Sequence, residues 1–170
     1  MHSVIAYERK LYFPTVREYL ISRITHEDTY LIWKYMFFLR REEAASNKLT
    51  QYYWRRRKND LGARLGIIIY AGCCGKGLRI WHYGSTIISG DAKLGENCCF
   101  HGQACIGSDG TGTAAPVIGN NVDIGVGAMV IGDITIADNI KIGAGAVVTR
   151  SCLTEGATLV GIPAKALPEK

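Results

Sequence analysis

The sequence predicts a mainly β protein built on a short repeat, with an α-helical segment in front of it. Three observations carry that expectation. An aliphatic or aromatic residue returns every six positions, at Ile88, Leu94, Phe100 and Ile106, then at Ile118, Ile124, Val130, Ile136, Ile142 and Val148. Four positions after each sits a second small or aliphatic residue, from Ala92, Cys98 and Ala104 through Val122, Ala128, Ile134 and Ile140 to Ala146 and Cys152. The glycines are the third sign: the first of twenty is Gly62, and nineteen lie beyond residue 65. A period of six fits neither a helix, at about 3.6, nor the plain alternation of a strand. Two inward residues per six, with Gly, Asn and Asp between, describe very short strands joined by tight corners.

The helical segment comes first, at residues 1–65. It holds most of the basic charge, about +6 against about −1 for residues 66–170, within a net +5. Val16, Tyr19, Leu20 and Ile24 share one helical face, and Thr25 with Asp28 is suited to cap a second helix. That second helix carries Leu31, Ile32, Tyr35, Met36, Phe38 and Leu39, a face wide enough to need covering by the repeat body, a neighbouring subunit or a membrane surface. Tyr52, Tyr53 and Trp54 precede Arg55, Arg56, Arg57 and Lys58. This cluster is read as a solvated helix face or as a peripheral contact with anionic lipid or a phosphorylated substrate, and nucleic acid is not expected because no reading module accompanies it. Met1 to Lys10 lacks the apolar core of a signal peptide, and Tyr30 to Leu39 is far short of the roughly 20 residues that span a bilayer. A cytoplasmic protein with six reduced cysteines is expected, Cys98 and Cys152 serving as inward filler.

The second unit, residues 66–170, begins raggedly. Glycines punctuate Ile67 to Tyr70 and Leu78 to Ile80 before the period sets in. Regular alternation from Leu78 would point His82 inward and Trp81 outward, whereas a corner near Gly84 would reverse that. The period breaks between Gly107 and Val117, where residues 108–116 have loop composition and Gly112 occupies the slot of an apolar residue. Ile106 to Ile118 is twelve residues, so the repeat resumes in phase around an extruded loop, and such a loop is where function is expected. Gly161-Ile162-Pro163-Ala164-Lys165 forms a tail.

The hexads, with Ile-Gly-x-Gly-Ala at Ile124 to Ala128 and Ile-Gly-Ala-Gly-Ala at Ile142 to Ala146, resemble the hexapeptide-repeat acyltransferases. That family folds as a left-handed parallel β-helix, three hexads to a triangular turn. Gly77 to Gly84 followed by Ile87-Ile88 is similar to the block that holds the catalytic histidine in serine acetyltransferases and in capsular or exopolysaccharide O-acetyltransferases. The resemblance implies an O-acetyltransferase using acetyl-CoA, with His82 as the base that takes the hydroxyl proton. It implies a homotrimer with active sites between subunits. It also implies a pantetheine arm lined by Gly107, Ser108, Gly125, Val126, Gly143 and Ala144, with Lys141 and Lys165 at the phosphates and no metal.

The departures steer the acceptor. Ile67 stands where the serine enzymes carry the aspartate that orients the histidine, Trp81 where they carry the preceding aspartate, and Ala114-Ala115 where they carry an Arg-His pair. Those groups would hold a free amino acid, while Trp81 and Tyr83 offer faces that stack on sugars. The expected acceptor is therefore a sugar hydroxyl of a surface or capsular polysaccharide, with Trp81, Tyr83, His101 and Asp109 binding it. Serine O-acetylation in cysteine biosynthesis is the alternative, and a non-catalytic trimeric scaffold is the alternative of another class. A zinc enzyme like the carbonic-anhydrase members is disfavoured, since the repeat half has only two histidines, and Cys98, Cys99 and Cys105 lack a Cys-x-x-Cys spacing. Asp91 and Asp109 are the carboxylates considered for orienting His82.

Overall fold

The computed structural model describes residues 2–112 and 114–168, except for the side chain of His2; Thr113, in the loop, lies outside them. Four helices come first: α1 (His2–Tyr12), α2 (Val16–Thr25), α3 (Asp28–Glu43) and α4 (Lys48–Leu65). Short strands follow, stacked as three sheets of a left-handed parallel β-helix. The first sheet stacks β1 (Ile67–Ile69), β3 (Thr86–Ile88), β6 (Cys105–Gly107), β9 (Met129–Ile131) and β12 (Val147–Val148). The second stacks β4 (Lys93–Leu94), β7 (Val117–Ile118) and β10 (Thr135–Ile136). The third stacks β2 (Arg79–Ile80), β5 (Cys99–Phe100), β8 (Asp123–Ile124), β11 (Lys141–Ile142) and β13 (Thr158–Gly161), with β14 (Ala164–Ala166) folded back antiparallel on its last strand.

Each strand gives one large residue to the core. All ten residues of the six-residue series are buried, and so are their small companions except Cys152, which is half-buried. Strands this short survive because every coil repeats the same inward pair, so side chains stack in columns along the axis. One row of corners is turned by Asn97, Asn121 and Asn139, all at positive φ, with Asn121 Nδ2 donating to Asn139 Oδ1 at 3.0 Å. Asparagine tolerates this conformation better than most residues.

The twelve residues from Ile106 to Ile118 cover a single side of the triangle, because β6 and β7 belong to neighbouring sheets. The apparent second period at Gly112 is extra chain that leaves and rejoins one corner. In the first coil Ile80 pairs with Phe100. The His82 corner thus makes that coil two residues longer than the regular eighteen, and His101 sits above Trp81.

The helices close the open end of the β-helix. Tyr12 Oη accepts from the Ile80 N–H at 2.9 Å, and Tyr35 Oη accepts from the Ile69 N–H at 2.9 Å, so two edge donors of the first coil are satisfied by buried phenols. Arg40, buried on α3, donates from Nη2 to Glu8 Oε1 at 2.7 Å and from Nη1 to the Cys74 carbonyl at 2.9 Å. Glu8 Oε1 in turn accepts from the Gly77 N–H. The wide face of α3 is therefore covered by the repeat body and α4. Three local expectations need correction. Helix α1 was not foreseen. On α2 the residues Val16, Leu20 and Ile24 face outward, and only Tyr19 packs inward. Thr15 caps α2 through a capping box with Glu18, while Thr25 bonds the Ile21 carbonyl and caps no second helix.

Candidate active site

The third sheet presents the site. Its outward residues run in register from Arg79 through Cys99, Asp123 and Lys141 to Thr158. One step on, Trp81 and His101 leave their strands side by side: the Trp81 N–H bonds the Phe100 carbonyl at 2.8 Å, and the His101 N–H bonds that of Ile124 at 2.9 Å. The His101 ring lies nearly parallel to Trp81, with centroids 6.1 Å apart. Its Nε2 is 2.8 Å from Asp123 Oδ1. The Arg79 guanidinium lies over the Trp81 ring, 3.6 Å from its centroid.

His82 follows the end of β2 and is exposed at the corner between the third and first sheets, so the corner reverses the inward direction that regular alternation would give it. Among the described residues no group hydrogen-bonds its ring. Gly102 packs against it from the next coil, and the register continues through Val126 and Ala144, so His82, Gly102, Val126 and Ala144 form one corner column. Beside this column runs an open groove of about 340 Å³ lined by His101, Asp123, Gly125, Val126, Lys141, Gly143, Ala144 and Thr158. A larger hollow of about 560 Å³ lies between α4 and β1. It holds no histidine, and its cations Arg55 and Lys58 are already paired with Glu42. The smaller groove, beside the His82 corner and with His101 in its wall, is the candidate site.

The groove gathers Gly125, Val126, Lys141, Gly143 and Ala144 with His101. Their backbone N–H groups divide into two sets. The N–H groups of Gly125 and Gly143 are used in the ladder, on Ile142 and Leu159. A Cβ on Gly125 would stand 2.6 Å from the Ala144 nitrogen, so glycine is there for coil stacking. The N–H groups of Val126 and Ala144 make no backbone hydrogen bond among the described residues, and these are the donors left for a ligand amide.

Other expected residues are not in this groove. Gly107 and Ser108 sit at the end of β6 on the first sheet, and Lys165 is on β14, paired with Val160. Tyr83 is exposed in the His82 corner. Asp109 is exposed in the loop, where its Oδ1 accepts from the N–H and hydroxyl of Thr111. Those bonds lower its carboxyl below the usual range, and it does not bond His82 within the chain. Among the described residues Asp91 bonds only through its N–H, to the Ser89 hydroxyl oxygen. Sequence reasoning missed Asp123 and Arg79, and it weighed Cys99 only as a zinc ligand that its spacing disfavoured. Asp123 precedes Ile124 as Cys99 precedes Phe100, and subtracting the six looped-out residues puts the two one turn apart.

No protein-family model matches the chain. A serine acetyltransferase of Helicobacter pylori is 32% identical over 127 residues, which is 72% of this chain and 74% of that protein. One of Synechococcus elongatus is 36% identical over 105 residues, 60% of this chain and 43% of that protein, so the chain spans less than half of this longer relative. The solved structure of Neisseria gonorrhoeae serine acetyltransferase in complex with serine matches with a TM-score of 0.70 at 26% identity, over 98% of this chain and 67% of that one. These comparisons overturn the expected sugar acceptor, since the relatives they name are serine enzymes. The local geometry agrees. Trp81, the expected sugar platform, stays exposed at its edge but has the Arg79 guanidinium over its ring and His101 of its own chain beside it.

Proposed function

We propose, from the premise that this chain belongs to the serine acetyltransferase family, that it transfers the acetyl group of acetyl-CoA to the hydroxyl of L-serine. One observation carries the reading: the histidine of the family block, His82, stands at the foot of the corner column whose upper members, Val126 and Ala144, line the groove. The groove fits an acetylated pantetheine arm. It is open and narrow, it offers two free N–H groups, and Lys141 stands at its rim without an ion-pair partner among the described residues. Lys165, two strands beyond on β14, is a second cation for the phosphates.

In the reaction the imidazole of His82 accepts the serine hydroxyl proton as the oxygen attacks the thioester carbonyl, and the proton is returned to the departing thiol. The acetyl–sulfur bond breaks as the ester bond forms. General-base assistance of this kind is worth about 10² to 10⁴ in rate.

The assembly we propose is a homotrimer. The outward face of the first sheet is apolar across all five strands: Ile68, Ile87 and Met129 are exposed, with Cys105 and Val147 half-buried between them in register. A neighbouring copy on that sheet lies across the corner from His82 and would wall the groove. The six free thiols fit a reducing cytoplasm. No helix among the described residues is long and apolar enough to cross a membrane. On α4, pairing of Arg55 and Lys58 with Glu42 and of Arg56 with Asp60 leaves Tyr52, Tyr53 and Arg57 as the groups a lipid surface would meet among the described residues. Mass-spectrometric detection of O-acetyl-L-serine, formed by the wild type and not by His82→Ala, tests the function.

A further inference from the structure

The third sheet carries a constellation that acetyl transfer does not use. Cys99 Sγ, His101 Nε2 and a carboxylate oxygen of Asp123 all lie within 4.8 Å of one another, half-buried on the outer face. Cys99 and Asp123 are register partners on β5 and β8, and His101 is two residues beyond Cys99, so all three project from the same side. Their backbones are fixed by ladder bonds of 2.9 Å to Val122, Ile124 and Ile140. Cys99 Sγ also accepts a hydrogen bond from the Trp81 indole N–H at 2.9 Å.

We propose that Cys99, His101 and Asp123 form a binding site for one thiophilic divalent cation of the zinc type, with a fourth position open to the groove. Thiolate, imidazole and carboxylate are the donors such ions take, at bond lengths of about 2.0 to 2.3 Å in tetrahedral sites. Tetrahedral geometry then needs donors roughly 3.3 to 3.8 Å apart, which small side-chain rotations on two adjacent fixed strands supply. The ion displaces the Cys99 proton to solvent, and sulfur–metal, nitrogen–metal and oxygen–metal bonds replace the His101–Asp123 hydrogen bond. In the metal-free protein burial and the Asp123 charge hold this thiol above its usual range, against the Trp81 N–H and the charge of Arg79. The indole donor thus supports the first ligand in the way outer-shell groups do. His101 and Asp123 also line the groove, so an occupied site obstructs it and slows acetyl transfer, a consequence that rests on the proposed function.

Cobalt(II) titrated into the chelator-treated full chain tests the site independently of activity. A thiolate-to-cobalt charge-transfer band saturating at one ion per chain is expected for the wild type and for Cys73→Ser. In Cys99→Ser the band should be lost and cobalt affinity should fall by roughly 100-fold, since even outer-shell changes cost about 10- to 100-fold. Absence of the band in the wild type, or its survival in a Cys99→Ser protein with unchanged circular dichroism, would overturn the site. In a second arm, zinc(II) should slow wild-type acetyl transfer to L-serine and leave Cys99→Ser unaffected. Equal inhibition of both would overturn the obstruction while the cobalt result still decides binding.

Discussion

Gly102 packs against His82 from the next coil with no room for a side chain between them. A Cβ there would stand 3.0 Å from the His82 carbonyl oxygen and 3.3 Å from its Cβ, at a φ of +115°. Gly102→Ala should therefore shift the His82 corner. Misplacing a catalytic group by about 1 Å can cost about 10² in rate, and a strained backbone adds about 1–3 kcal/mol of destabilisation. Steady-state kinetics and a thermal melt on Gly102→Ala test both. Gly112→Ala, where a Cβ meets nothing, should melt as the wild type does.

The bond between Arg40 and Glu8 ties α1 and α3 to the first coil, and both side chains are buried. Removing one partner leaves the other charged and unpaired, which costs about 3–5 kcal/mol. Arg40→Ala should lose that much stability in urea, and proteolysis should open the helical segment first. A melt like that of the wild type would show that the helices hold by packing alone.

Burial holds the Tyr12 and Tyr35 hydroxyls well above the ordinary tyrosine range. A group whose folded-state pKa is raised stabilises the fold fully below its unfolded value, about 10, and that contribution drains away as pH rises through the folded value. Stability should thus fall on the alkaline side from about pH 10. Tyr12→Phe should be weaker at pH 8 by about 1–3 kcal/mol, because the Ile80 N–H loses its acceptor, and flatter in the alkaline range. Urea unfolding at a series of pH values reads both effects.

If the apolar face of the first sheet joins subunits, a charge placed on it should separate them. Ile87→Asp should convert the trimer to monomer by light scattering, with acetyl transfer falling alongside. A trimer that survives the substitution would move the interface elsewhere.

Most of the fold was legible because the repeat is written residue by residue: each inward slot from Ile88 to Val148 is buried. The helices read less well. Ile5 and Tyr12 of α1 pack against the body only in three dimensions, whereas Val16, Leu20 and Ile24 make an apolar stripe that the chain leaves outside. At the site, His82 could be picked from its motif, but its direction depended on a corner two residues longer than the period. Asp123 was hidden because the loop offsets it from Cys99, and pairing across coils, not sequence proximity, brings it to His101. The acceptor was misread because Trp81 looks like a free aromatic face in one dimension, whereas in three the Arg79 guanidinium already stacks over its ring.

Thiol release from acetyl-CoA, followed with L-serine as the sole acceptor, bears most directly on the proposed reaction. Serine-dependent release by the wild type, reduced by about 10² or more in His82→Ala, is the expected result. Release that does not depend on serine, or a His82→Ala variant that turns over like the wild type, would contradict it.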